Sequence, residues 1–185
     1  MQIPYEYIFI NANPKLYTCV SQVDDLTGNI VKTQYCKVND IRMIKKIAAD
    51  FDKNSFHVNF GRGLTQKPIY DKAGQKQIPA AESDFVELPF MWVKVDYLDS
   101  KTFSNTDSLR ILLENTLKPF GIFPDLISRT DNTFFLYWIF DKSLPARTRK
   151  EKESLIAREL YLQSMIDWIL KRYTLNNITS FIDVA

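Results

Sequence analysis

Histidine occurs once in the 185 residues, cysteine twice and glycine five times. The lone histidine, His57, excludes mechanisms that need a histidine pair, including His-rich zinc sites and zincin-type metalloproteases. Cys19 and Cys36 make neither a metal-ligand spacing nor a disulfide framework, and read as ordinary thiols of a reducing compartment. Five glycines and eight prolines are too few for a collagen-like or low-complexity chain. No apolar run approaches the ~20 residues of a membrane span. The longest, Phe134 to Phe140, is of strand length, so no membrane partner is expected. The start, Met1-Gln2-Ile3-Pro4-Tyr5-Glu6, lacks the basic and long apolar regions of a secretory signal, and the expected location is cytoplasmic. An excess of one charge is also missing: Lys+Arg 24 against Asp+Glu 22 leaves +2, so any basic surface must be local.

What is present is a hydrophobic content of 45% and an aromatic content of 14%, enough to build a sizeable core. The length suits a single domain over 1–185. Tyr5 to Ile10 and Leu16 to Ser21 read as strands around the turn Asn11-Ala12-Asn13-Pro14. Asp24 to Asn29 is a second turn, and Ile30 to Lys37 a further strand. Asn39 or Asp40 can cap a helix with the stripe Ile41, Ile44, Ile47 or Ala48, and Phe51. Ser55 to Phe60 is a short strand ending in Gly61-Arg62-Gly63, which is a turn rather than a phosphate loop because no Lys-Ser/Thr follows. Residues 64–84 are polar and interrupted by Pro68, Gly74 and Pro79, as in a long flap or loose hairpin.

The stretch after residue 89 is more regular. Pro89 to Asp99 reads as a strand, centred on 90–98, with Met91, Val93 and Val95 on one face and Trp92, Lys94 and Asp96 on the other. A helix follows over 107–118 with Leu109, Leu112 or Leu113, and Leu117 on its stripe, stopped by Pro119 and Gly121. Leu126 to Thr130 and Phe134 to Phe140 are strands joined at Asp131-Asn132. A long helix over 148–173 buries Leu155, Leu162, Ile166, Ile169 and Tyr173. The βαββα order predicts an α+β fold: an antiparallel-rich mixed sheet with helices on one face, as in ferredoxin-like or RNA-recognition-like folds. The other face is then open to ligands.

Asp96 and Asp99 stand at the end of the first strand of this pattern. Two-metal nucleotidyl transfer needs shared carboxylates that hold two divalent ions about 3.5–4 Å apart. A solvated strand end with a turn-forming Asp99 explains the same residues, and three residues apart the two carboxylates fall on opposite faces of a regular strand.

The run Phe90 to Asp99, the helix, and then Gly121-Ile122-Phe123-Pro124 leading to Ser128-Arg129-Thr130-Asp131-Asn132-Thr133-Phe134-Phe135-Leu136-Tyr137-Trp138 resembles the archaeo-eukaryotic primase superfamily. The likeness spans about 85–145 and is to the primase domains of plasmid, phage and other mobile-element replication proteins. Ser180-Phe181-Ile182-Asp183-Val184-Ala185 resembles the start of that family's third motif, so the chain is expected to be the N-terminal part of a longer replication protein. The resemblance implies an RNA-recognition-like primase palm that makes a short primer from nucleoside triphosphates on a single-stranded DNA template. It implies Asp96, Asp99 and Asp183 as catalytic ligands of Mg²⁺ or Mn²⁺, and Ser128, Arg129 and Tyr137 as nucleotide contacts. A replicative helicase or initiator is the further partner it implies.

The pattern is also broken in places. The family's first Asp falls on Lys94, its His on Phe135, and the glycine pair of its hairpin on Arg129 and Asp131. An ammonium beside Asp96 replaces a metal ion electrostatically but cannot activate a nucleophile by coordination, so impaired catalysis is implied. Arg62, Arg147, Arg149, Lys150 and Lys152 are the candidate nucleic-acid contacts, and Phe135 and Tyr137 share a strand face from which bases could be stacked. Two rival readings remain. One is a non-catalytic DNA- or protein-binding replication module. The other is a rolling-circle nicking initiator that uses His57, with Asn59 nearby and Tyr161 or Tyr173 as nucleophile.

Overall fold

The computed structural model describes residues 5–52, 56–96, 106–130 and 133–173. In chain order the elements are α1 (Tyr5–Ile8), β1 (Tyr17–Asp24), β2 (Ile30–Lys37), α2 (Ile41–Phe51), β3 (Phe56–Phe60), β4 (Glu87–Asp96), α3 (Thr106–Thr116), β5 (Leu126–Thr130), β6 (Thr133–Pro145) and α4 (Arg149–Tyr173). Short 3-10 turns occupy Glu82–Asp84 and Lys118–Phe120. The fold is mixed α+β. The sequence predicts one sheet, but the strands divide between two three-stranded sheets, in the orders β2-β1-β3 and β4-β6-β5. Their contacts define two compact units, one built from 4–89 and 140–151, the other from 90–139 and the helix from Lys152 onward.

In the first unit, β1 pairs antiparallel with both β2 and β3. The β1–β2 turn is set by Asp24, whose carboxylate accepts from the Thr27 amide at 2.8 Å, the Thr27 hydroxyl at 2.9 Å and the Leu26 amide at 3.0 Å. Gly28 completes it at φ +69, a conformation costly for any residue with a Cβ. One face of this sheet is covered by α2. Asp40 caps that helix by accepting from the Met43 amide at 3.0 Å, and Ile44, Ile47, Ala48 and Phe51 are buried along its stripe. On the other face the 64–84 segment folds as the loose hairpin that its prolines suggest, with Tyr70 bridging Gln77. It is tied to β2 by the Tyr35 amide, which donates to Gln77 Oε1 at 2.9 Å, and by the Tyr35 hydroxyl, which donates to the Ile78 carbonyl at 2.9 Å.

Three sequence expectations need correction. Tyr5 to Ile8 is a single helical turn, not part of a strand: Ile8 and Phe9 are both buried while Tyr7 and Ile10 are exposed, which alternation along a strand cannot give. β4 begins at Glu87, two residues before the expected start at Pro89, and the proline is tolerated because β4 is a rim strand of its sheet. β6 continues past Phe140 to Pro145, and its last residues belong to the first unit.

In the second unit, β5 and β6 form an antiparallel hairpin, with Ser128 opposite Phe135 and Leu126 opposite Tyr137. β6 lies between β4 and β5, although β4 and β5 are the two strands that flank α3 in the chain. α3 packs on β5. Val93, Phe134 and Leu136 of the sheet are fully buried, as are Leu113 of α3, Leu117 just beyond it and Ile166 of α4. Gly121, at φ +71, ends the 3-10 turn after α3.

Candidate nucleic-acid interface

Alternation in β4 puts Phe90, Trp92 and Lys94 on the face opposite Met91, Val93 and Val95. Two ring contacts assign the β6 side chains to the same faces: Trp92 meets Phe135 with centroids 5.7 Å apart and planes at 47°, and Phe90 meets Tyr137 at 5.9 Å and 60°. The cross-strand register adds Leu126 and Ser128 of β5 to that face. The two faces differ in burial. Met91, Val93 and Val95 are at most 6% exposed, whereas Trp92, Lys94 and Phe135 are all half-buried. The aromatic pairs form a graded cluster, with Phe90 and Tyr137 buried beside the half-open Trp92 and Phe135.

Tyr137, read from the sequence as a nucleotide contact, is buried and its hydroxyl is hydrogen-bonded to Ser128. Burial pushes the phenol above its ordinary value, and the Ser128 bond partly offsets this. Ser128 is itself buried. Trp138, on the sealed face, donates its indole N–H to the Ile122 carbonyl at 2.8 Å, which fastens the Gly121–Pro124 segment to β6. Asp125 extends the ladder: its amide donates to the Tyr137 carbonyl at 2.9 Å and its carboxylate accepts from the Ile139 amide at 2.7 Å.

Asp96 is the last residue of β4, two positions beyond Lys94. Asp99 and Asp183 lie outside the described residues. Among the described residues no three His, Cys, Asp or Glu side chains gather into a group that could hold a metal ion. Arg129 is in β5, opposite Phe134 in register.

The remaining basic candidates are divided between the units. Arg62, Arg147, Arg149 and Lys150 belong to the first and Lys152 to the second. Arg62 is half-buried between two glycines that leave room for close neighbours. A Cβ at Gly61 would come 2.5 Å from Cys19 Sγ. Arg147 is well exposed, 3.8 Å from Glu87. It precedes a capping box absent from the sequence reading: Glu151 Oε2 accepts from the Thr148 amide at 2.8 Å and the Arg147 amide at 2.9 Å, while the Thr148 hydroxyl accepts from the Glu151 amide at 3.2 Å. The Thr148 amide, chief among these bonds, holds the Glu151 carboxyl below its ordinary range. The signal was in the chain as Thr148 followed three residues later by Glu151.

His57 is exposed and its Nδ1 lies 2.7 Å from Asp25 Oδ1, joining β3 to the β1–β2 turn. It belongs to the first unit, whereas the exposed Tyr161 belongs to the second. Trp92 is not among the site residues that the sequence singles out: alternation gives its face, but its contact with Phe135 follows from the position of β6 beside β4. No family model, curated protein or solved structure matches the chain.

Proposed function

We propose that the 90–139 unit is the palm of a primase-like module of a replication protein, binding a single-stranded DNA template on the sheet face that bears Trp92, Lys94 and Phe135. The observation that carries this reading is the strand order β4-β6-β5, with α3 connecting the two outer strands. That split β-α-β arrangement is the one used by ferredoxin-like and RNA-recognition-like sheets, and it covers most of the 85–145 stretch in which the primase resemblance lies.

The donor set fits two divalent ions poorly. Asp96, Asp99 and Asp183 are hard oxygen donors of the kind Mg²⁺ and Mn²⁺ take. Lys94, half-buried two residues from Asp96, puts a positive charge where a shared carboxylate is needed. The reading is therefore of a template-binding palm with weak or absent primer synthesis. Lys94 and Phe135, which replace the two family residues closest to the chemistry, favour a non-catalytic replication module as the second reading.

A priming assay on single-stranded DNA with Mn²⁺, run beside an anisotropy titration of the same DNA, separates these. Salt-dependent binding with little or no dinucleotide product is the expected result. Robust synthesis with micromolar Mn²⁺ affinity would show that Lys94 does not occupy a ligand position. Absence of DNA binding at low salt would remove the template reading and leave a protein partner.

A further inference from the structure

We propose that Trp92 and Phe135 form a base-stacking platform for single-stranded nucleic acid, with Lys94 neutralising the phosphate of the stacked nucleotide. This rests on the template-binding reading above and specifies how the strand is held. It replaces the expectation that Phe135 stacks together with Tyr137, because Tyr137 is buried and bonded to Ser128.

Three observations meet here. The Trp92–Phe135 contact is tilted at 47°, with centroids at 5.7 Å. Rings so inclined do not cover each other as a flat stack does, and both side chains keep part of their surface in solvent on a face whose reverse is sealed. Beside them on the same face, Phe90 and Tyr137 meet edge-on at 5.9 Å and are buried, so one end of the platform abuts a fixed aromatic pair. A surface fixed before binding loses little side-chain freedom when a base arrives. Finally, Lys94 lies two residues along the same strand face as Trp92, a rise of about 6.6 Å, within reach of the phosphate attached to a base on the indole. An aromatic pair beside a cation on a sheet is the arrangement that single-strand platforms use, and it tolerates any sequence because every base has a π face.

The test compares an oligothymidylate of about twelve nucleotides, within the site size of such platforms, with an abasic strand of the same length and phosphate count. Both are titrated against the full chain by anisotropy at several salt concentrations. The abasic strand is expected to bind about tenfold more weakly, in keeping with the loss of stacked bases, with the same salt slope. Trp92→Ala should abolish the preference and Trp92→Phe should restore most of it. Phe135→Leu, which keeps the volume and removes the π face, carries the same test if Trp92→Ala fails to fold. Lys94→Gln should lower the salt slope by about one unit and leave the preference intact. Equal binding of both strands by the wild-type chain overturns the stacking proposal while the template reading survives. No binding of either strand overturns both.

Discussion

Gly63 lies so close to the ring of Phe85 that a Cβ at position 63 would stand 2.3 Å from the ring's Cγ. The residue is buried, and Phe85 is 9% exposed, so neither side can withdraw into solvent. This contact seats the return of the 64–84 hairpin. Gly63→Ala should destabilise the chain by about 1–3 kcal/mol, the usual cost of forcing a methyl group into a packed site. Urea denaturation measures it, and an unchanged midpoint would show that the ring moves freely.

In the proposed primase palm, Lys94 takes the place of a metal-ligating carboxylate. Lys94→Asp should therefore strengthen Mn²⁺ binding at least tenfold over wild type, because it removes a repulsive cation and adds a ligand. Calorimetric titration checks this. Equal, undetectable binding in both proteins would place the aspartates 96, 99 and 183 too far apart to share an ion.

Asp24 is held below the ordinary aspartate range first by the Thr27 amide and then by the Thr27 hydroxyl. A depressed folded-state value means that this group stabilises the fold above the unfolded-state value, about 3.9. The contribution disappears as pH falls through the folded-state value. Asp24→Ala should then be less stable than wild type at pH 7, with a gap that narrows at pH 2. A constant gap across that range would assign the loss to the turn's geometry instead of its charge.

Cys19 and Cys36 are both buried. Burial, reinforced by nearby Asp40, pushes the Cys36 thiol up to about 12, and burial likewise raises Cys19. The nucleophile is the thiolate, so neither residue should react with a disulfide reagent at pH 8 in the native protein. Two equivalents should react once the chain is unfolded. Rapid modification of either thiol under native conditions would show that the β1–β2 region opens readily.

The Thr18 and Thr65 hydroxyls are buried with no hydrogen-bond partner. An orphaned buried hydroxyl carries its desolvation cost without return. Thr18→Val and Thr65→Val should each be neutral or stabilise by up to about 1 kcal/mol, because the shape is kept and the polar atom removed. A loss in thermal unfolding midpoint would point to a buried water bonded to the hydroxyl.

Local chemistry made much of this fold legible. β2 runs over Ile30–Lys37 as the sequence predicts, because Asp24, Thr27 and Gly28 write the turn before it. α2 ends at Phe51, where its apolar stripe ends, and begins after the Asp40 cap. Where reading failed, the deciding force was distant in sequence. Asp141 and Lys142 look like the end of a strand, yet Ser143 beyond them is buried and β6 continues. The site shows the same division. The alternation of Trp92 and Lys94 is a property of one strand, whereas the Trp92–Phe135 contact depends on the insertion of β6 between β4 and β5, which no window of residues contains.

Pro89 has no amide hydrogen to offer, so the rim strand β4 lacks one donor there, and at Glu87 the rim is already bridged by the chain's own Leu64. A rim shortened in this way gives a strand from another molecule little to pair with. The opposite rim is β5, only five residues long, and gives little length to grip. A sheet with aromatic rings on its open face would otherwise invite fibril growth at high concentration. Blunt rims lower that risk for a sheet that carries such rings.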